Sequence, residues 1–150
     1  IDTDGFLRIT GRKKEIIVTS GGKKVCPRPI EELLENDPYI LRCVLYGEGR
    51  KFLTAILVPR KEKLLEVAKE AKLTFKDYRD LLRDEKIYRF LEQRIEAVCR
   101  DLANFEKIKY FALVEEDFTQ AAGELTPTLK VKRETVLAKH REALTRFYVD

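Results

Sequence analysis

Apolar and polar positions alternate through Gly5-Phe6-Leu7-Arg8-Ile9-Thr10 and again through Glu15-Ile16-Ile17-Val18-Thr19, interrupted by Gly11-Arg12 and by Ser20-Gly21-Gly22. A period of two carried by β-branched residues predicts two short strands in hairpin-like ribbons. The spacing then changes. Pro27-Arg28-Pro29 precedes Ile30, Leu33 and Leu34 at i, i+3 and i+4, a helix that starts on proline and stops near Asn36-Asp37-Pro38. Two near-continuous apolar runs, 40–47 and 52–58, flank the turn-like Gly47-Glu48-Gly49-Arg50-Lys51 and predict a buried hairpin. Helical periodicity returns at Leu64, Leu65, Ala68 and Ala71, and at Phe75, Tyr78, Leu81 and Leu82. A long stripe follows Asp84, from Ile87 to Leu102. Residues 108–114 read as a third sheet strand, and Val136, Leu137, His140, Leu144 and Phe147 as one last helix. The expected fold is α+β: a small β-ribbon followed by a three-stranded sheet flanked by helices, in a single domain over 1–150.

Composition narrows the classes. With 44% hydrophobic residues the chain can bury a core, which excludes a disordered chain. No apolar window approaches the roughly 18 residues of a membrane-spanning helix. A net charge of +4 is too mild to imply a polyanion partner, although residues 8–28 hold seven basic side chains against Glu15. The three cysteines, Cys26, Cys43 and Cys99, lack C-x-x-C spacing. They suggest neither a zinc site nor a disulfide framework, and each has an apolar neighbour, so buried free thiols are expected. The sequence contains no methionine, and the chain is therefore expected to be a piece of something longer.

Self-contained catalytic motifs are scarce. His140 is the single histidine, it falls on an apolar stripe, and no G-x-S-x-G elbow accompanies it, so neither a metal site nor a serine triad is expected. The carboxylate pairs Glu31/Glu32 and Glu115/Glu116 read as solvated faces. Thr19-Ser20-Gly21-Gly22-Lys23-Lys24 fails the phosphate-loop pattern, because Thr19 replaces its first glycine and Lys24 its hydroxyl residue. By itself this segment is an exposed turn with a basic tip.

Order along the chain says more. The segment Asp4-Gly5-Phe6-Leu7-Arg8-Ile9-Thr10-Gly11-Arg12-Lys13-Lys14-Glu15-Ile16-Ile17 is followed by Ser20-Gly21-Gly22-Lys23 and then by Pro27-Arg28-Pro29-Ile30-Glu31. Far downstream lies Leu125-Thr126-Pro127-Thr128-Leu129-Lys130-Val131-Lys132-Arg133. These ordered motifs closely resemble those of the C-terminal cap domain of AMP-forming long-chain fatty acyl-CoA synthetases, members of the adenylate-forming superfamily. The resemblance covers essentially all 150 residues.

The resemblance implies a mobile cap on a larger N-terminal domain, which binds ATP, Mg2+ and the fatty acid and lies outside this chain. The implied reaction joins fatty acid, ATP and coenzyme A through an acyl-adenylate. Lys130 matches the family's catalytic lysine, placed between carboxylate and α-phosphate, with Lys132 as the next candidate. Lys14 matches the hinge, Arg12 an arginine that contacts the nucleotide, and Ser20, Gly21, Gly22 and Lys23 the turn that meets coenzyme A. Lys24 or Arg28 could supply the charge toward coenzyme A phosphate instead of Lys23. Leu129 departs from the glycine that many superfamily members carry before the lysine. The implied partners are the protein's own N-terminal domain and these substrates, with no nucleic acid. A cytoplasmic location is expected, and a lipid substrate is compatible with peripheral membrane contact. The alternatives are an adenylation cap serving a carrier protein and, in a different class, a basic module binding nucleic acid through residues 8–28.

Overall fold

The computed structural model describes residues 16–148. Strands β1 (Ile17–Val18) and β2 (Lys24–Val25) pair antiparallel, with Ile17 opposite Val25. The strand expected at residues 5–10 lies outside the described residues. Helix α1 (Pro27–Glu35) opens with proline, whose fixed φ and missing N–H suit a first turn. Its buried residues are Pro27, Ile30, Glu31 and Leu34, a helical stripe that includes an acid. Leu33, expected to face inward, is 39% exposed instead.

Strands β3 (Ile40–Tyr46) and β4 (Leu53–Pro59) form the expected antiparallel hairpin. The chain then leaves the sheet through α2 (Lys61–Glu70), α3 (Tyr78–Leu82) and α4 (Glu85–Val98). Asp77 and Asp84 start the last two, each accepting a backbone N–H at its helix N-terminus. After a 3-10 turn (Asn104–Glu106), β5 (Ile108–Leu113) pairs parallel to β4, giving the order β3-β4-β5. All seven residues of β4 are buried, as a central strand covered on both faces requires.

Alternation along the strands divides the interior in two. On one face Cys43, Leu45, Ala55, Leu57 and Phe111 meet α1, α2, α4 and the ribbon residues Ile17 and Val25. On the other, Val44, Ile56 and Val58 meet Phe118, Leu125, Val136 and Leu144. The last helix is not continuous. It divides into α5 (Arg133–Lys139), α6 (Arg141–Thr145) and a 3-10 turn (Arg146–Tyr148), with His140 between the helices at φ −108° and ψ 18°. On one straight helix Val136 and Leu144 would point roughly 80° apart. The break lets both reach the second core.

Candidate functional site

Ser20, Gly21, Gly22 and Lys23 form the exposed turn joining β1 to β2. Thr19, itself buried, closes it: its N–H donates to the Lys23 carbonyl at 2.9 Å, and its Oγ1 accepts the Lys23 N–H at 3.2 Å. Gly22 sits at φ +82°, a left-handed conformation glycine adopts without a Cβ clash. The ribbon is seated on the β3–β4 turn, through Ser20 N–H to the Arg50 carbonyl at 2.9 Å and Gly49 N–H to the Val18 carbonyl at 2.8 Å. The Lys23 ammonium lies 5.5 Å from the centre of the Phe105 ring.

Two further cations lie over aromatic rings near the β3–β4 turn and at β5. The Arg50 guanidinium covers the rings of Tyr148 and Tyr46 at 5.0 and 5.9 Å, and Lys109 covers Phe52 at 4.8 Å. Arg28, one alternative source of charge toward a phosphate, is otherwise engaged. It contacts Glu35 at 2.8 Å, Glu31 at 3.3 Å and Glu32 at 3.6 Å. Lys24 is exposed.

Lys130 lies elsewhere, on an exposed loop capped by its own hydrogen bonds. Leu125 and Val131 form an antiparallel bridge, and Thr126 N–H donates to the Lys130 carbonyl at 2.8 Å. Inside the loop, Leu129 N–H donates to the Thr126 carbonyl at 2.8 Å and Lys130 N–H to Thr126 Oγ1 at 3.0 Å. Leu129 is held at φ +63° and is 60% exposed. Glycine is the residue hairpin loops of this shape favour at such a position. The departure noted in the sequence is thus a leucine in a glycine's conformation.

The two regions are not brought together. Ile17 and Val25 anchor the ribbon to the first core, while Leu125 anchors the lysine loop to the second, across the sheet. Arg12 and Lys14 lie outside the described residues.

Several expectations change. Glu31, read as solvated, is 1% exposed. Its Oε2 accepts the Leu45 N–H at 2.7 Å and Arg133 Nη1, while Oε1 accepts Arg133 Nη2 at 2.6 Å and Arg28 Nη1 at 3.3 Å. One turn on, Glu35 accepts the Cys43 N–H at 3.1 Å. Thus α1 lies along the outer edge of β3 and fills its open ladder positions with carboxylates. Helical spacing from Pro27 and to Leu34 was the signal for Glu31, and hydropathy concealed it. Arg133 stood inside the lysine motif without a role. Among the cysteines, Cys43 and Cys99 are buried but Cys26, before α1, is exposed. Burial pushes the Cys43 thiol well up from its ordinary value. His140 is half-buried, and its Nε2 has no hydrogen-bond partner among the described residues. Burial, then the charge of Lys139, lowers its pKa, and Glu124 opposes them. Among the described residues no cluster of three or more His, Cys, Asp or Glu could hold a metal ion, and no helix is long and apolar enough to cross a membrane.

Comparison with known proteins agrees with the motif order. The family model described as the AMP-binding enzyme C-terminal domain matches residues 14–150. The long-chain-fatty-acid–CoA ligase FadD15 of Mycobacterium tuberculosis is 36% identical over 149 residues, covering 99% of this chain and 25% of the relative. The long-chain-fatty-acid–CoA ligase ACSBG1 of Bos taurus is 37% identical over 166 residues, covering 99% of this chain and 23% of the relative. The chain thus spans about a quarter of the length of the curated relatives it matches. In fold it is similar to the adenylation domain of a carboxylate reductase from Mycobacterium chelonae, with TM-score 0.77 and 21% identity over 93% of this chain and 20% of that one.

Proposed function

The chain belongs to the family of AMP-binding enzyme C-terminal domains, and on that premise we propose that it is the mobile cap of a long-chain-fatty-acid–CoA ligase. The observation that carries this reading is 36–37% identity to such ligases across 99% of the chain. The larger N-terminal domain holds ATP, Mg2+ and the fatty acid, and the cap serves two half-reactions in turn.

In the first, a fatty carboxylate attacks the α-phosphate of ATP, giving acyl-adenylate and pyrophosphate. Two anions must meet while negative charge grows on phosphorus oxygens. Lys130, presented on a self-capped loop, offsets that repulsion, and its effect grows as the cap excludes water. In the second, the thiol of coenzyme A displaces AMP to form the thioester. The Ser20–Lys23 turn faces this step: open space around Gly21 and Gly22 admits the pantetheine arm, and Lys23 answers the phosphates. Arg50, whose carbonyl accepts the Ser20 N–H, adds charge beside the turn, whereas Arg28 is engaged by Glu31, Glu32 and Glu35. Placement of lysine loop and turn on opposite sheet faces supports a rotation of the cap between steps, because one orientation cannot present both. Lys14 as hinge and Arg12 as nucleotide contact complete the reading on their motif alone.

Lys130→Ala in the full-length ligase tests it. Loss of a desolvated cation aimed at transition-state charge is expected to lower ATP–pyrophosphate exchange about 10²–10³-fold. Thioester formation from pre-made acyl-adenylate should be spared. Exchange near the unmodified rate would remove Lys130 from the chemistry and make Lys132 the next residue to test.

A further inference from the structure

Most hydrogen bonds of the Thr126–Lys130 loop run within it, from Thr126 to Lys130 and back, and one reaches outside, from Gln120 Nε2 to the Thr126 carbonyl at 2.9 Å. Buried Leu125, its bridge to Val131 and the Lys132 N–H bond to the Glu124 carbonyl at 2.8 Å seat the base of the loop on the second core. A second anchor, on the other side of the loop, is Arg133, three residues after Lys130. It is the first residue of α5, and its side chain is only 18% exposed. Its two terminal nitrogens grip the two oxygens of Glu31 in a parallel fork, with Nη2 to Oε1 at 2.6 Å. Glu31 in turn is fixed from two other sides, by the Leu45 N–H of β3 and by Arg28 of α1.

We propose that Glu31 and Arg133 are a positioning pair that aims Lys130 for adenylate formation. This deepens the role of Lys130 proposed above and rests on it. A planar guanidinium bound at both ends to a carboxylate constrains the angle of approach as well as the distance, which a lysine ammonium does not. Apart from Arg133 the carboxylate is held by two donors, the Leu45 N–H at 2.7 Å and Arg28 Nη1 at 3.3 Å, so Arg133 is referred to the edge of β3. Only Val131 and Lys132 separate this anchor from Lys130, and both are tied to the Glu124–Leu125 segment, so the fork and that segment together fix the backbone that carries the lysine. A buried ion pair is a weak source of net stability compared with apolar packing of equal volume. What it supplies at this place is direction. The Ser20–Lys23 turn, held by Thr19 and the β3–β4 turn, does not depend on it.

The test uses Arg133→Lys and Glu31→Gln in the full-length ligase, both of which keep side-chain length and a hydrogen-bonding group at the site. Each should lower kcat for ATP–pyrophosphate exchange about 10–100-fold, the scale of a misplacement near 1 Å. KM for ATP and fatty acid, and thioester formation from pre-made acyl-adenylate, should stay within about twofold, the spread expected of a change that acts on alignment alone. On a Lys130→Ala background, adding Arg133→Lys should lower residual exchange no further, because the arginine acts through the lysine. The proposal is overturned if both variants keep exchange while Lys130→Ala loses it. It is equally overturned if both half-reactions fall together, or if the loss persists on the Lys130→Ala background. Normal exchange in Lys130→Ala alone marks the different failure, that of Lys130 itself.

Discussion

Leu129 offers a measurement whose sign, rather than its size, carries the argument. The residue sits at φ +63° in the loop that presents Lys130, and it is 60% exposed. For a residue with a Cβ this conformation costs about 1–2 kcal/mol. Replacement by glycine removes that cost but adds about 0.5–1 kcal/mol of conformational entropy to be lost on folding. Replacement by alanine keeps the Cβ and the cost. The modest apolar contact of the leucine is lost in both variants and cancels between them. Leu129→Gly should therefore be more stable than Leu129→Ala by roughly 0.5–1 kcal/mol. At a position with negative φ the order is the reverse, with alanine ahead by about 0.4–1 kcal/mol. Urea unfolding of the 150-residue chain, followed by circular dichroism with equal m-values in both variants, measures the difference. An alanine variant as stable as the glycine variant, or more so, would falsify the strained-loop account.

Buried polar groups give two further expected outcomes. Glu31→Ala deprives Arg133 of its carboxylate and Leu45 of its acceptor, and should cost about 3–5 kcal/mol of unfolding free energy. Its neighbour Glu32, 61% exposed, should change stability by less than about 0.5 kcal/mol on Glu32→Ala, and equal losses at the two positions would contradict the burial of Glu31. For His140, burial holds the folded-state pKa below the ordinary value of about 6.5. The unfolded chain then binds the proton more readily, so this contribution to stability is present above pH about 6.5 and is lost as pH falls through the lowered pKa. Melting temperatures at pH about 7.5 and 5.5 should fall less in His140→Gln than in the unmodified chain, whereas parallel falls would show that His140 does not carry the dependence.

Much of this was legible from hydropathy where burial is two-sided. The runs at 40–47 and 52–58 became β3 and β4 because strands covered on both faces need apolar residues throughout. The parallel partnership of β4 with β5 was not legible, since three helices intervene and spacing carries no record of pairing. The continuous last helix failed for a related reason: Val136 and Leu144 both look inward, and periodicity cannot tell one helix from two re-aimed at His140. Glu31 escaped because charge outweighed its place on a buried stripe, although Pro27 and Leu34 bracket it at helical spacing. Lys130 and the Ser20–Lys23 turn came from resemblance to a family. Both lie on exposed loops, where neither burial nor periodicity singles a residue out.

The acids along β3 also bear on how the domain avoids its own kind. An edge strand with free N–H groups is a template on which another chain can add a strand. Here the N–H groups of Cys43 and Leu45 are already taken by Glu35 and Glu31, and an incoming strand would have to displace two carboxylates to reach them. Both acids belong to α1, which precedes β3 in the chain. During synthesis the guard emerges before the edge it covers, and well before β5, α5 and α6 complete the sheet and its second face. The two carboxylates and the strand they cover are thus neighbours in sequence, and closing that edge needs no strand from later in the chain.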